Sequence, residues 1–247
     1  MDHMLYVAMS GAKQTMRAQA VNANNLANVN TTGFRADLLE VTSYAVKGDG
    51  WDSRIMSTSN SANVDLNPGS IMTTGRELDI ALKGEGWIAV QSAEGGEALT
   101  RSGELKITSG GLLVTGAGYP VLGNSGVITI PPAEKVEIAG DGTISIRPVG
   151  QTAAALAVVD RIRLVSVPSE NLRKGSDGLM HTRNGDSADV DARIQLVSGA
   201  IESSNVNAVG SMVDMITLAR QFEIQIKMMK SAEENDAAAT ALMRMNG

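Results

Sequence analysis

Apolar and small side chains recur at alternating steps of four and three near the start of the chain, at Leu5, Met9, Ala12, Met16, Gln19, Ala23, Leu26 and Asn30. That is a heptad phase with two polar interruptions. It predicts a helix from about Met4 to Asn30, with Asp2 as its cap and Gly33 as its stop. Toward the other end Met212, Met215, Ala219, Phe222, Ile226 and Met229 keep the same phase, and Ser211 with Asp214 three residues on reads as a capping box. One long helix is predicted here. Its phase fails at Glu233 and Asp236 and resumes shifted at Ala237, Ala241 and Met245, as a stutter does.

Between these segments the period changes to two. Leu78, Ile80 and Leu82 share one face of a predicted strand that turns at Gly84 to Gly86 and runs on from Trp87 to Ser92. Val136 and Ile138, Asp141-Gly142, then Ile144 and Ile146 repeat the device as a hairpin. Shorter candidates are Leu105 to Thr108, Leu112 to Thr115, Val127 to Ile130, Arg161 to Val167 and Arg193 to Ser198. Many short strands at close spacing predict an antiparallel β-sandwich or barrel-like domain. All six prolines lie between Pro68 and Pro168, which leaves both flanks free to be helical. The expected fold is therefore mainly β with α-helical termini. An N-terminal helix segment (1–34), an extended Ser/Asn/Thr-rich connector (35–75), a central β domain (76–202) and a C-terminal helix (203–247) follow in order, and the two helices pair in a coiled-coil-like way.

Composition narrows the function. The 247 residues carry 21 basic and 27 acidic side chains with no Lys/Arg cluster, so a phosphate-tracking face and nucleic acid binding are not expected. No segment approaches the roughly 20 apolar residues of a membrane span. Asp2 stands where a signal peptide wants positive charge, so no cleaved signal is expected. There is no cysteine, and 13 methionines against 3% aromatics make the apolar surface adaptable rather than rigid. Groups suited to catalysis are scattered. His3 and His181 are far apart and lack a nucleophile or metal-spaced partner. Asp186, Asp189 and Asp191 lack the glycine and closing glutamate of a calcium loop and read as a solvated turn. Gly116 and Gly118 miss a third glycine and a following helix, and Glu233 and Glu234 point apart on their helix. No catalytic residue, cofactor or metal is expected.

The helix stripes carry more information. Their seam side chains alone do not recover the entropy of ordering two long ends, and Val7, Val21, Ile224, Met228 and Leu242 lie off the seam. Other subunits are the natural recipients of that apolar surface. The uncharged stretch NANNLANVNTTGF, Asn22 to Phe34, suits a crowded helix bundle, where small side chains permit close approach and amides hydrogen-bond without the cost of burying a charge.

At Met9 the sequence MSGA, at Asn24 to Phe34 the sequence NNLANVNTTGF, and further on SNVNAVGSMVDMI leading into ARQFEIQIKMMKSAEEND resemble the two terminal signatures of the bacterial flagellar rod and hook family. The opening MDHMLYVAMSGA and the segment RELDIALKGEGWIAVQ are most similar to its proximal rod members. The distal rod members share the terminal motifs but open on an LWxAxTG-like stretch, which this chain lacks. The resemblance implies a structural axial protein of the basal body, in the rod that crosses the periplasm. Such a subunit leaves the cell through the flagellar type III export apparatus with no signal peptide removed. It would assemble head-to-tail, with its own copies and other rod subunits, into a hollow helical shaft that transmits torque in motility. The expected assembly residues are Leu5, Met9, Ala12, Met16, Asn24, Asn25, Leu26, Ala27 and Asn28 on the first helix and Met212, Met215, Ala219, Phe222, Ile226 and Met229 on the second. The alternatives are a distal rod member of the same family or a secreted non-enzymatic β-domain binding module.

Overall fold

The computed structural model describes residues 3–45, 55–148, 150 and 156–245. Asp2, the expected helix cap, lies outside them. The chain divides into a helical unit (1–28, 37–65 and 206–247) and a β unit (29–36 and 66–205). It is mainly β with a helix at each end.

The helical unit holds α1, His3–Ala27, and α2, Ala208–Met245. Asn22 Nδ2 donates to Ser211 O at 2.6 Å, and Gly11 lies against the Gln225 side chain, so the helices run antiparallel. Extrapolated at 1.5 Å per residue, α1 ends opposite about the Glu233 turn. The predicted stutter at Glu233 and Asp236 thus marks the place where α2 leaves its partner, and α2 continues there as unbroken helix. Its cap is Asn207, not Ser211. The Asn207 side-chain oxygen accepts from Gly210 N at 3.1 Å and its carbonyl from Ser211 N at 2.9 Å, the pattern of an N-cap residue at its third helical neighbour.

The segment expected to be an extended connector departs from that reading. Asp37–Ala45 and Ile55–Val64 pair antiparallel as a hairpin within the helical unit, with a bulge between Leu39 and Val41. Its Ser/Thr-rich sequence satisfies strand hydrogen bonds without apolar alternation, which is why no period of two betrayed it.

The β unit is a set of small antiparallel sheets, and among the described residues none closes into a barrel. The largest orders Leu164–Val165, Trp87–Gln91, Glu97–Thr100, Met180–Thr182 and Leu172–Lys174. The hairpin expected at Asp141-Gly142 is present, with Val136 opposite Ile146 and Ile138 opposite Ile144, and Ala157–Arg161 adds a third strand to it. The other expected turn does not make a hairpin. Ile80–Lys83 pairs with Gln195–Ser198, and Trp87–Gln91 goes to the five-stranded sheet. Gly84 and Gly86 have φ of 91° and 138°, and a Cβ on Gly86 would strike Ile194, so this turn redirects the chain into another sheet. Ile80, Ala81 and Leu82 are all buried, so both faces of that strand are covered. With Ile88, Leu105, Leu113, Ile144 and Ile162, Ile80 and Leu82 belong to a single hydrophobic core.

Candidate assembly interface

Small residues make the buried face of α1. Ala8, Ala12, Thr15 and Asn25 are the buried residues of α1, and Gly11 permits close approach, since a Cβ there would lie 2.9 Å from Gln225 Nε2. The expected seam is displaced by one residue at alternate positions. Met9 and Met16 are 52% and 58% exposed, and Ala8 and Thr15 hold their inner places. On α2 the half-buried face is Ser211, Met215, Leu218, Phe222, Gln225, Met229 and Ala232. Met215, Phe222 and Met229 are where the heptad reading put them. Met212, Ala219 and Ile226 are exposed, displaced by Ser211, Leu218 and Gln225. Both phases satisfy a seven-residue repeat. On α1 the small residues Ala8, Ala12 and Thr15 are buried and Met9 and Met16 are left outside, while the half-buried face of α2 carries the bulky Met215, Leu218, Phe222 and Met229.

The remaining expected residues separate by role. Leu5 and Leu26 are half-buried, Asn24 and Ala27 are exposed, and Asn28 donates from Nδ2 to Asn24 O. Asn25 is used inside the chain: its Oδ1 accepts from Asp37 N at 2.8 Å and its Nδ2 donates to Asp37 O at 2.9 Å. The amide copies the donor and acceptor of a strand backbone and ties the hairpin's first residue to α1.

A second apolar face lies on α2, turned away from α1. Val209, Met212, Val213 and Ile216, spaced by three and four, are all exposed, and Ile224 and Leu242 continue the side they occupy. Val209 is 71% exposed.

Sequence reasoning missed one cluster, in the β unit. Glu202 and the guanidinium groups of Arg35 and Arg101 are buried together, with Arg35 Nη2 at 2.7 Å from Glu202 Oε1 and Arg101 Nη1 at 3.1 Å from Oε2. Both guanidinium carbons lie over the Trp87 ring, 5.9 and 5.5 Å from its centroid. Burial lowers the Arg101 pKa, and the Glu202 carboxylate opposes that. These residues are too far apart in sequence to form a motif. Gly33, expected to end α1, belongs here. At φ 67° it donates its N–H to Glu202 O at 2.8 Å, and a Cβ would meet the Arg101 backbone at 2.3 Å.

Isolated polar groups elsewhere are structurally engaged. His181 Nε2 lies 3.0 Å from Asp177 Oδ2. Asp191 accepts from the guanidinium and the amide of Arg193, which hold its carboxyl below its usual range. Among the described residues no helix is long and apolar enough to cross a membrane.

A compact β core and, in a separate unit, a helix pair that leaves Met9, Met16, Val209, Met212, Val213 and Ile216 exposed define a structural subunit made to be packed against neighbours. Comparison with known proteins gives this class its identity. Residues 5–35 match the family described as flagella basal body rod protein, residues 81–146 the flagellar hook protein FlgE/F/G D1 domain, and residues 197–242 the flagellar basal body rod FlgEFG protein C-terminal family. The chain is 40% identical to the flagellar basal-body rod protein FlgF of Escherichia coli (strain K12) and 39% identical to that of Salmonella typhimurium, each over 100% of both chains. It is 31% identical to the flagellar basal-body rod protein FlgG of Bacillus subtilis, over 93% of this chain and 95% of that one. The chain belongs to the flagellar basal-body rod protein FlgF family. It is a non-enzymatic structural subunit of the flagellar rod, sits in the basal body and assembles with other axial proteins.

Proposed function

We propose that the subunit assembles head-to-tail with its own copies and with proximal and distal rod proteins into a hollow helical shaft that crosses the periplasm and transmits torque. It reaches that place through the flagellar type III export apparatus without removal of a signal peptide. In the shaft the terminal helices pair as a coiled-coil-like domain, and the β unit acts as a sandwich-like body around its single core. The assembly contacts are the outward Met9, Met16, Asn24, Ala27, Met212, Ala219 and Ile226, with Val209, Val213 and Ile216 added to them. Leu5, Ala12, Asn25, Leu26, Asn28, Met215, Phe222 and Met229 hold the helices in the form that neighbours meet.

The observation that carries this reading is that the first turns of α2 expose Val209, Met212, Val213 and Ile216 on the side opposite its half-buried face. A contiguous exposed apolar patch of that kind marks a site for apolar neighbours. Replacing Val213 and Ile216 together by Asp places two charges in the second face without touching the first. The expected result is loss of the variant from isolated basal bodies and loss of swimming, with the strands from Ile80 to Ser198 as protected from hydrogen exchange as in the unaltered protein. Basal bodies that held the double variant at normal occupancy would end the proposal.

A further inference from the structure

The chain passes into or out of the β unit four times, after residues 28, 36, 65 and 205. Within that unit the segments beside these crossings are joined to one another. Asn205 N donates to Phe34 O at 3.3 Å, and Asn205 Oδ1 accepts from Ala36 N at 2.8 Å. Asn67 O accepts from Arg35 Nη1 at 2.8 Å and from Asn205 Nδ2 at 3.0 Å. Glu202 Oε1 accepts from Gly69 N at 2.9 Å, and a Cβ on Gly69 would lie 2.0 Å from Ser203 O. Glu202 stands at the centre, its two carboxylate oxygens shared between Arg35, Arg101 and the Gly69 amide. Arg101 in turn donates to Gly84 O at 2.8 Å, which ties the group to the turn before Trp87.

We propose that Arg35, Arg101 and Glu202 form a latch that closes the β unit on its own chain crossings, so that this unit keeps its native fold while the terminal helices unfold, refold or change partners. The inference goes beyond the rod assignment, because it concerns the unassembled chain. Every partner of the three charged groups named above lies in the β unit, so the latch needs no helix to be complete. A buried carboxylate between two guanidinium groups is a stringent closure. Removing its charge leaves two arginines buried against each other with one acceptor weakened, whereas an open end would admit water at little cost.

The test is hydrogen exchange on the dilute full-length protein, followed peptide by peptide. In the unaltered chain, residues 31–36, 67–70 and 201–205 should be as protected as Trp87–Gln91. In Glu202→Gln, protection of those three segments should fall at least about 100-fold while Trp87–Gln91 changes by less than about threefold. Arg101→Lys keeps the charge and loses the fork, and should give a smaller loss in the same segments. The proposal is overturned if the three segments exchange as fast as α1 and α2 in the unaltered chain. It is equally overturned if Glu202→Gln leaves them protected, or if both variants lose protection uniformly through the β unit.

Discussion

At the scale of single residues, the asparagine-rich stretch is explained by two amides with different addresses: Asn22 bonds the start of α2, and Asn25 bonds the first residue of the hairpin. In Asn25→Asp a carboxylate oxygen replaces the donor that meets Asp37 O, inside a buried pocket. That change should destabilise the helical unit by about 1–3 kcal/mol, read as a lower midpoint of the helical signal in urea while the β unit is unaffected. Gly33→Ala combines a left-handed backbone with a clash against the Arg101 main chain. It should cost the β unit about 2 kcal/mol or more, measurable by thermal unfolding. Asp141 gives a pH response. The Thr143 hydroxyl and then the Thr143 amide hold its carboxyl below the usual value. A depressed folded-state pKa means that this support is present above the unfolded value and is lost as pH falls through the folded one. Protection of the 133–148 hairpin amides, relative to their intrinsic exchange rate at each pH, should therefore fall in acid, and Asp141→Asn should remove that dependence.

At the scale of elements, α2 depends on its cap and on its two faces. Asn207→Ala removes the acceptor for Gly210 N and should lower helical stability by about 1 kcal/mol, visible as faster exchange in the first two turns of α2. The proline-free flanks and the period near 3.5 made both helices legible, and the Asp-Gly turn made the 133–148 hairpin legible. The rotational setting of α1 was not legible, because a heptad count ranks Met above Ala as a seam residue. Helices in contact gain instead from the close approach that Ala8, Gly11 and Ala12 allow.

At the scale of the molecule, burial is unevenly divided. Among the described residues the helical unit buries only Ala8, Ala12, Thr15 and Asn25, while every large side chain that is fully buried belongs to the β unit. The dilute chain should therefore exchange in two phases, with amides of α1 and α2 fast and those of Ile80–Lys83 and Trp87–Gln91 slow; a single uniform phase would contradict this. The sequence by itself determined the two terminal helices, most of the core strands and the terminal motifs that point to the rod and hook family, because these depend on local period, turn chemistry and signature residues. Only the tertiary structure decided which strands pair, that residues 37–64 join the helices, that Gly33 closes the β unit rather than α1, and that Arg35, Arg101 and Glu202 meet. Each of these rests on contacts between residues distant in the chain, where loop closure and the shape of a shared core choose among pairings that the local pattern leaves equal.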